Sequence, residues 1–188
     1  MKFTLVYRGP VKPNGDRKHK HKLRRAFHPQ LKDLWRLPPL NALATDPHHY
    51  LSLDPQHAAQ SVICQWGGFA FAPVVSNRLK LRAHLEILFL RPEEAGKIIH
   101  EGGDIDNRIK TLLDALRVPT EGELPEEDTP ANDESPFFCL LEDDALITGL
   151  SVVTDRLLGG TQAGEALLVI TVQARPHEVI CDTLDLLA

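Results

Sequence analysis

From Leu79 to Leu90 the chain alternates. Leu79, Leu81, Ala83, Leu85, Ile87 and Phe89 are interleaved with Lys80, Arg82, His84, Glu86 and Leu88. Successive side chains of a strand point to opposite faces, so this run predicts a long strand with one buried face and one mostly wet face. Arg91-Pro92-Glu93-Glu94 ends it. Further on the period changes. Ile105, Ile109, Leu112, Leu113 and Leu116 recur at i, i+4, i+7, i+8 and i+11, the single apolar stripe of a helix that Pro119 stops.

Other elements are read from local chemistry. Residues 2–7 form a short strand closed by Gly9-Pro10, and Lys12-Pro13-Asn14-Gly15-Asp16 is a turn cluster. Residues 29–37 suit a short helix with Pro29 in its first turn and Pro38-Pro39 as its stop. Ser52–Val62 reads as a helix begun at Asp54-Pro55, and Gly67–Val75 has β character. Ala145–Thr154 and Ala166–Ala174 are rich in Val, Ile, Leu and Thr and read as a hairpin. Residues 177–188 form a short tail.

The length of 188 residues favours a single domain over 1–188. No run approaches the roughly 20 apolar residues needed to span a bilayer, and the N-terminal apolar run is too short for a signal peptide. Cys64, Cys139 and Cys181 are widely spaced and form no CxxC pair, so a reducing cytoplasm is the simplest expected location. His48-His49 and His57 lack any metal-motif context and are expected to be loop histidines.

The net charge of −5 conceals an asymmetry. Residues 1–25 carry nine Lys/Arg against Asp16 alone, a surplus of +8, while the other 163 residues hold 12 bases and 25 acids, or −13. Arg17, Lys18, Lys20, Lys22, Arg24 and Arg25 fall within nine positions with no clean apolar period. They are expected on an exposed basic arm spanning 12–28, in contact with the phosphates of DNA; the plainer alternative is a solvated, self-repelling loop. Residues 120–144 carry ten acids and no Lys or Arg. The stretch 120–136 is expected to be a mobile, solvated acidic insertion.

The densest chemistry lies at Gly102-Gly103-Asp104-Ile105-Asp106-Asn107-Arg108-Ile109-Lys110, answered by Glu142-Asp143-Asp144. In an extended approach Asp104 and Asp106 point the same way. If the strand after Asp144 lies beside the helix mouth, Asp104, Asp106 and Asp144 make a carboxylate cage. Such a cage needs a cation, and all-oxygen donors suit Mg²⁺ or Mn²⁺. Lys110 would then hold a phosphate or steady a leaving oxygen. The competing explanation makes Asp104 or Asp106 a helix cap and Asp106, Lys110 and Asp114 an i,i+4 ion-pair ladder, worth about 0.2–0.5 kcal/mol per pair.

At these residues the chain resembles the RusA family of Holliday-junction resolvases. The correspondence reads Asp104-Ile105-Asp106-Asn107, Lys110, Asp114-Ala115-Leu116 and Asp143-Asp144, and spans about residues 79–175. It departs from the family in its long acidic connection after the helix and in the acidic stretch before Asp104. The resemblance implies an α+β fold, a mixed β-sheet packed against helices in two layers, assembled as a homodimer. It implies Asp104, Asp106 and Asp144 as metal-binding catalytic acids, Lys110 as the catalytic lysine, and Asn107 and Asp143 in support. The expected activity is Mg²⁺-dependent hydrolysis of branched DNA, with metal-activated water attacking a phosphodiester. A non-catalytic module binding nucleic acid or protein on the same fold is the alternative; others are an interaction or structural protein whose acidic insertion and basic arm bind each other or a protein partner, and a metal-dependent phosphohydrolase of small nucleotides.

Overall fold

The computed structural model describes residues 1–44, 49–93, 105–159, 164–178 and 180. In chain order the elements are β1 (Lys2–Pro10), α1 (Arg17–Leu34), α2 (Leu40–Leu43), β2 (Cys64–Trp66), β3 (Phe69–Val75), β4 (Leu81–Arg91), α3 (Ile105–Leu116), β5 (Phe137–Leu141), β6 (Ile147–Arg156) and β7 (Glu165–Pro176). The architecture is α+β, with two mixed sheets. One has the order β1–β7–β4–β6 and the other β2–β3–β5.

The alternating run is β4, and it lies inside the larger sheet. Its inward residues Leu81, Ala83, Leu85, Ile87 and Phe89 are buried, together with Leu168, Ile170 and Val172 of β7 and Leu5 of β1. Leu23, Phe27 and Leu31 of α1 and Ile109, Leu112 and Leu116 of α3 belong to the same core. Each such side chain contributes about 1.5–3 kcal/mol by leaving water, so this layer of helices against one sheet face dominates the fold. A smaller cluster of Phe69, Phe71, Val118, Phe137 and Cys139 seals the second sheet.

The expected hairpin is not formed. β4 separates β6 from β7: it pairs parallel with β6 (Leu85 opposite Leu150) and antiparallel with β7 (Leu85 opposite Val172). Two strand spacings are only about 10 Å, within reach of the connection that follows Arg156, so loop length permits either arrangement. Burial decides between them, because the strongly alternating β4 gains most from neighbours on both edges. That leaves β6 as the edge strand of this sheet among the described residues.

The basic arm is a helix. Leu23, Phe27 and Leu31 stand at i, i+4 and i+8, and this stripe is buried along α1 while Arg17, Lys18 and Lys22 face solvent. Asp16 caps the N-terminus by accepting the His19 N–H at 2.7 Å. The helix predicted over 29–37 is the last third of α1, which ends at Leu34, and Pro29 lies within it on the exposed side. Proline there leaves the Arg25 carbonyl without its helical donor, at a cost of about 3 kcal/mol that the burial of Phe27 and Leu31 offsets. Gly15 lets the preceding turn lie on α3. A Cβ there would come within 2.7 Å of both Thr111 Cγ2 and His19 Cδ2, and the Gly15 N–H donates to Thr111 Oγ1 at 2.9 Å. The helix predicted over 52–62 is reduced to one 3₁₀ turn, Pro55–His57, capped by Asp54. Most of the tail beyond His177 lies outside the described residues.

The acidic insertion is irregular in backbone but attached to α1. Arg25 donates to Glu134 at 2.8 Å and to Asp128 at 3.0 Å. Lys32 Nζ donates to the Asp133 carbonyl at 2.7 Å. Glu134 is buried rather than solvated. Composition predicts solvation for an acid-rich segment, but here the basic helix supplies the compensating charge.

Candidate functional site

α3 and the inner face of β6 bound a groove of about 490 Å³. Asp106, Lys110 and Asp114 line it from the polar side of α3, one above another at helical spacing. Asp144 enters from the 3₁₀ turn Asp144–Leu146 that leads into β6, and Leu150, Val152 and Thr154 form the opposite wall. β6 borders the groove because it is the edge strand, with its inner face only partly covered. Asp106 and Asp144, far apart in sequence, are thus brought to one cleft.

Asp104, Gly102 and Gly103 lie outside the described residues. The helix begins at Ile105, so Asp106 sits in its first turn rather than in an extended segment. There the helix dipole favours its negative charge. Asp106, Lys110 and Asp144 are all exposed. Lys110 enters no ion pair among the described residues, so the competing i,i+4 ladder is absent there. Asp114 instead pairs with Lys20 of α1 at 2.6 Å and with Arg117 at 3.6 Å.

The acidic triplet before β6 divides its work. The Glu142 carboxylate accepts the Asn77 N–H at 2.6 Å, fixing the turn between β3 and β4. Asp143 caps the 3₁₀ turn by accepting the Ala145 N–H at 2.8 Å. Asp144 alone of the three lines the groove. Asn107, expected as support, is half-buried, and its carbonyl accepts the Thr111 hydroxyl at 2.9 Å.

Arg117, which belongs to no motif of the sequence, borders this arrangement. It grips Glu123 through two hydrogen bonds of 2.9 and 2.7 Å. Burial works against its charge, but Glu123, Asp114 and Asp144 outweigh that and raise its pKa. Burial would also raise the pKa of Glu123, yet the Arg117 guanidinium and the Thr120 N–H hold it down at about 2. Its signal in the sequence was weak: an arginine one position past the predicted helix reads as a helix-end cation.

The six expected DNA contacts do not stay together. Arg17, Lys18 and Lys22 are exposed. Lys20 is committed to Asp114, and Arg25 to Asp128 and Glu134. Arg24 is buried, donating to the Arg117 carbonyl at 3.2 Å and the Asp114 carbonyl at 2.8 Å, so it is a structural residue rather than a phosphate contact. The expectation fails because the segment is a helix, not a loop, and Arg24 falls on its apolar side.

Among the described residues no three His, Cys, Asp or Glu side chains stand close enough to form a metal-binding group. Asp106 and Asp144 supply two exposed oxygen donors on one groove, a set that suits a hard divalent cation when a further carboxylate and water complete it. His49 and His57, expected as loop histidines, stack with ring centroids 3.8 Å apart. No helix among the described residues is long and apolar enough to cross a membrane. Compared with known proteins, the chain matches no family model and no curated sequence.

Proposed function

We propose that this protein is a metal-dependent endonuclease that hydrolyses phosphodiesters of branched DNA, with the groove between α3 and β6 as its active site. One observation carries the reading: Asp106 and Lys110 on α3 and Asp144 before β6 line the same open groove, although 38 positions separate Asp106 from Asp144. The junction-resolving specificity and the homodimer rest on the resemblance to RusA-type resolvases, and the cytoplasmic location rests on the cysteine pattern.

Asp106 and Asp144, with Asp104, would hold Mg²⁺ or Mn²⁺. The ion would lower the pKa of water and stabilise charge building on a phosphodiester. Lys110 stands one turn into the helix from Asp106, exposed and in no ion pair among the described residues, so it suits a phosphate oxygen or a departing oxygen. Asp143 positions Asp144 by capping its turn. Asp114 is neutralised by Lys20 and serves to anchor α3 to α1.

Cleavage of a labelled four-way junction and a matched linear duplex, with Mg²⁺ or Mn²⁺, tests this for wild type and Asp106→Asn. Junction-selective cutting that the variant loses is the expected result. Equal cutting of both substrates, also lost in the variant, retains the nuclease and removes the junction. Absence of cutting by folded protein overturns the enzyme. A second reading, a non-catalytic binding module, draws on the ion pairs that engage Lys20 and Arg25 internally. Titration of Mg²⁺ with no detectable binding, alongside intact DNA affinity, would favour it.

A further inference from the structure

On the opposite face of the larger sheet, away from the α3 groove, lies a pocket of about 510 Å³ that the proposed hydrolysis does not use. Arg82 and His84 reach it from β4, Arg175 from the end of β7, and His177 from just beyond. In register, Arg82 is directly opposite Arg175 and His84 opposite Gln173, which brings both arginines to one end of the sheet. Thr148, at the start of β6, closes the side.

Among the described residues neither arginine forms an ion pair with a carboxylate. Arg82 Nη1 donates to the Leu81 carbonyl at 2.9 Å, and Arg175 Nη2 donates to Gln173 Oε1 at 2.9 Å. His177 places Nδ1 at 2.7 Å from the Lys80 carbonyl and so donates from it, which leaves Nε2 as its remaining ring nitrogen. Neighbouring Lys80 is taken by Glu178 at 3.1 Å. Glu86 is the one carboxylate lining the pocket among the described residues.

The backbone also makes room for this cluster. Gly149 is paired in register with His84, and a Cβ on it would overlap the His84 ring at Nδ1. Only glycine lets the imidazole occupy its place beside β6. Two arginines held side by side repel each other unless an anion joins them, and their planar forks suit the oxygens of a phosphate.

We propose that this pocket binds a phosphate group, as the backbone of a nucleic-acid strand or as free phosphate. The site stands on its own geometry and does not require the nuclease reading. It also lies close to the proposed active site in chain terms. Thr148 follows Asp144 by four residues, a reach of no more than about 14 Å. A strand passing around the outer edge of β6 can therefore touch both.

The test follows the imidazole NMR signals of His84 and His177 during titration with inorganic phosphate and, separately, with a short single-stranded thymidine oligonucleotide. Wild type is compared with the double variant Arg82→Gln, Arg175→Gln, both exposed or half-exposed positions, whose fold is checked by thermal melting. Saturable shifts in wild type, weakened at least tenfold in the variant, are expected. Oligonucleotide shifts that compete with phosphate identify the strand backbone as the source, and its log–log salt slope then falls by about 0.7 in the variant, one single-strand phosphate. Shifts with phosphate alone identify the free anion. No shift with either ligand, or equal affinity in folded variant and wild type, overturns the site. Asp106→Asn should leave all these shifts intact, so failure of the nuclease reading and failure of this pocket are separable.

Discussion

His21 should make this protein lose stability in mild acid. Its ring is buried on α1 between Phe69 and Phe137, at centroid distances of 5.4 and 5.6 Å. Arg24 Nη1 lies 3.3 Å from His21 Nδ1; the guanidinium can only donate, so Nδ1 is the unprotonated nitrogen. Nε2 stands 3.4 Å from Asp128 Oδ2 yet is too poorly aligned for a hydrogen bond. Burial, then Arg24 and Arg25, depress its pKa to about 4, while Asp128 and Glu134 oppose the shift without reversing it. The unfolded chain therefore takes up a proton near pH 6.5 that the folded chain refuses until about pH 4. Stability is complete above pH 6.5 and is lost as pH falls toward 4. Between pH 7 and pH 5 this linkage amounts to about 2 kcal/mol. His19 and His28 are also depressed by burial, so the total fall in wild type is larger. His21→Phe, which keeps the aromatic packing, isolates the one group. Urea unfolding of both proteins at pH 7 and pH 5, with m unchanged, should show wild type losing about 2 kcal/mol more than the variant. Parallel losses would refute the assignment of a neutral, proton-refusing His21.

Two further outcomes follow from burial. Complete burial pushes the Cys139 thiol up to about 12, whereas Cys64 is half-buried. In a Cys181→Ser background an aromatic disulfide reagent should therefore modify Cys64 in the native protein and Cys139 only at the rate of unfolding; prompt modification of both would contradict this packing. Arg24→Met should cost about 2–4 kcal/mol, because it leaves the Arg117 and Asp114 carbonyls without their donor, while Lys18→Met and Lys22→Met should stay within about 0.5 kcal/mol. Denaturant midpoints measure all three, and equal effects would place Arg24 on the surface after all.

The sequence by itself determined those elements whose side chains repeat at one clear period. Leu81 to Phe89 and Ile105 to Leu116 could bury their apolar sides in only one backbone form each, and both appear as expected. It also marked Asp106, Lys110 and Asp144 as chemically notable, since residue type is a local property. Tertiary structure decided what depends on partners. α1 was obscured because its Leu23–Phe27–Leu31 stripe is embedded in lysine and arginine, whose solvation dominates a local reading. Its helical form is worth adopting only where α3 and β5 cover that stripe. The same holds for β6 and β7. Either could have been the other's neighbour until β4 claimed an edge of each. Charge roles were decided last of all. Arg24 and Lys22 are both cations in one basic run, and only the helix phase, turning one inward and the other to water, makes the first a framework residue and leaves the second free for solvent.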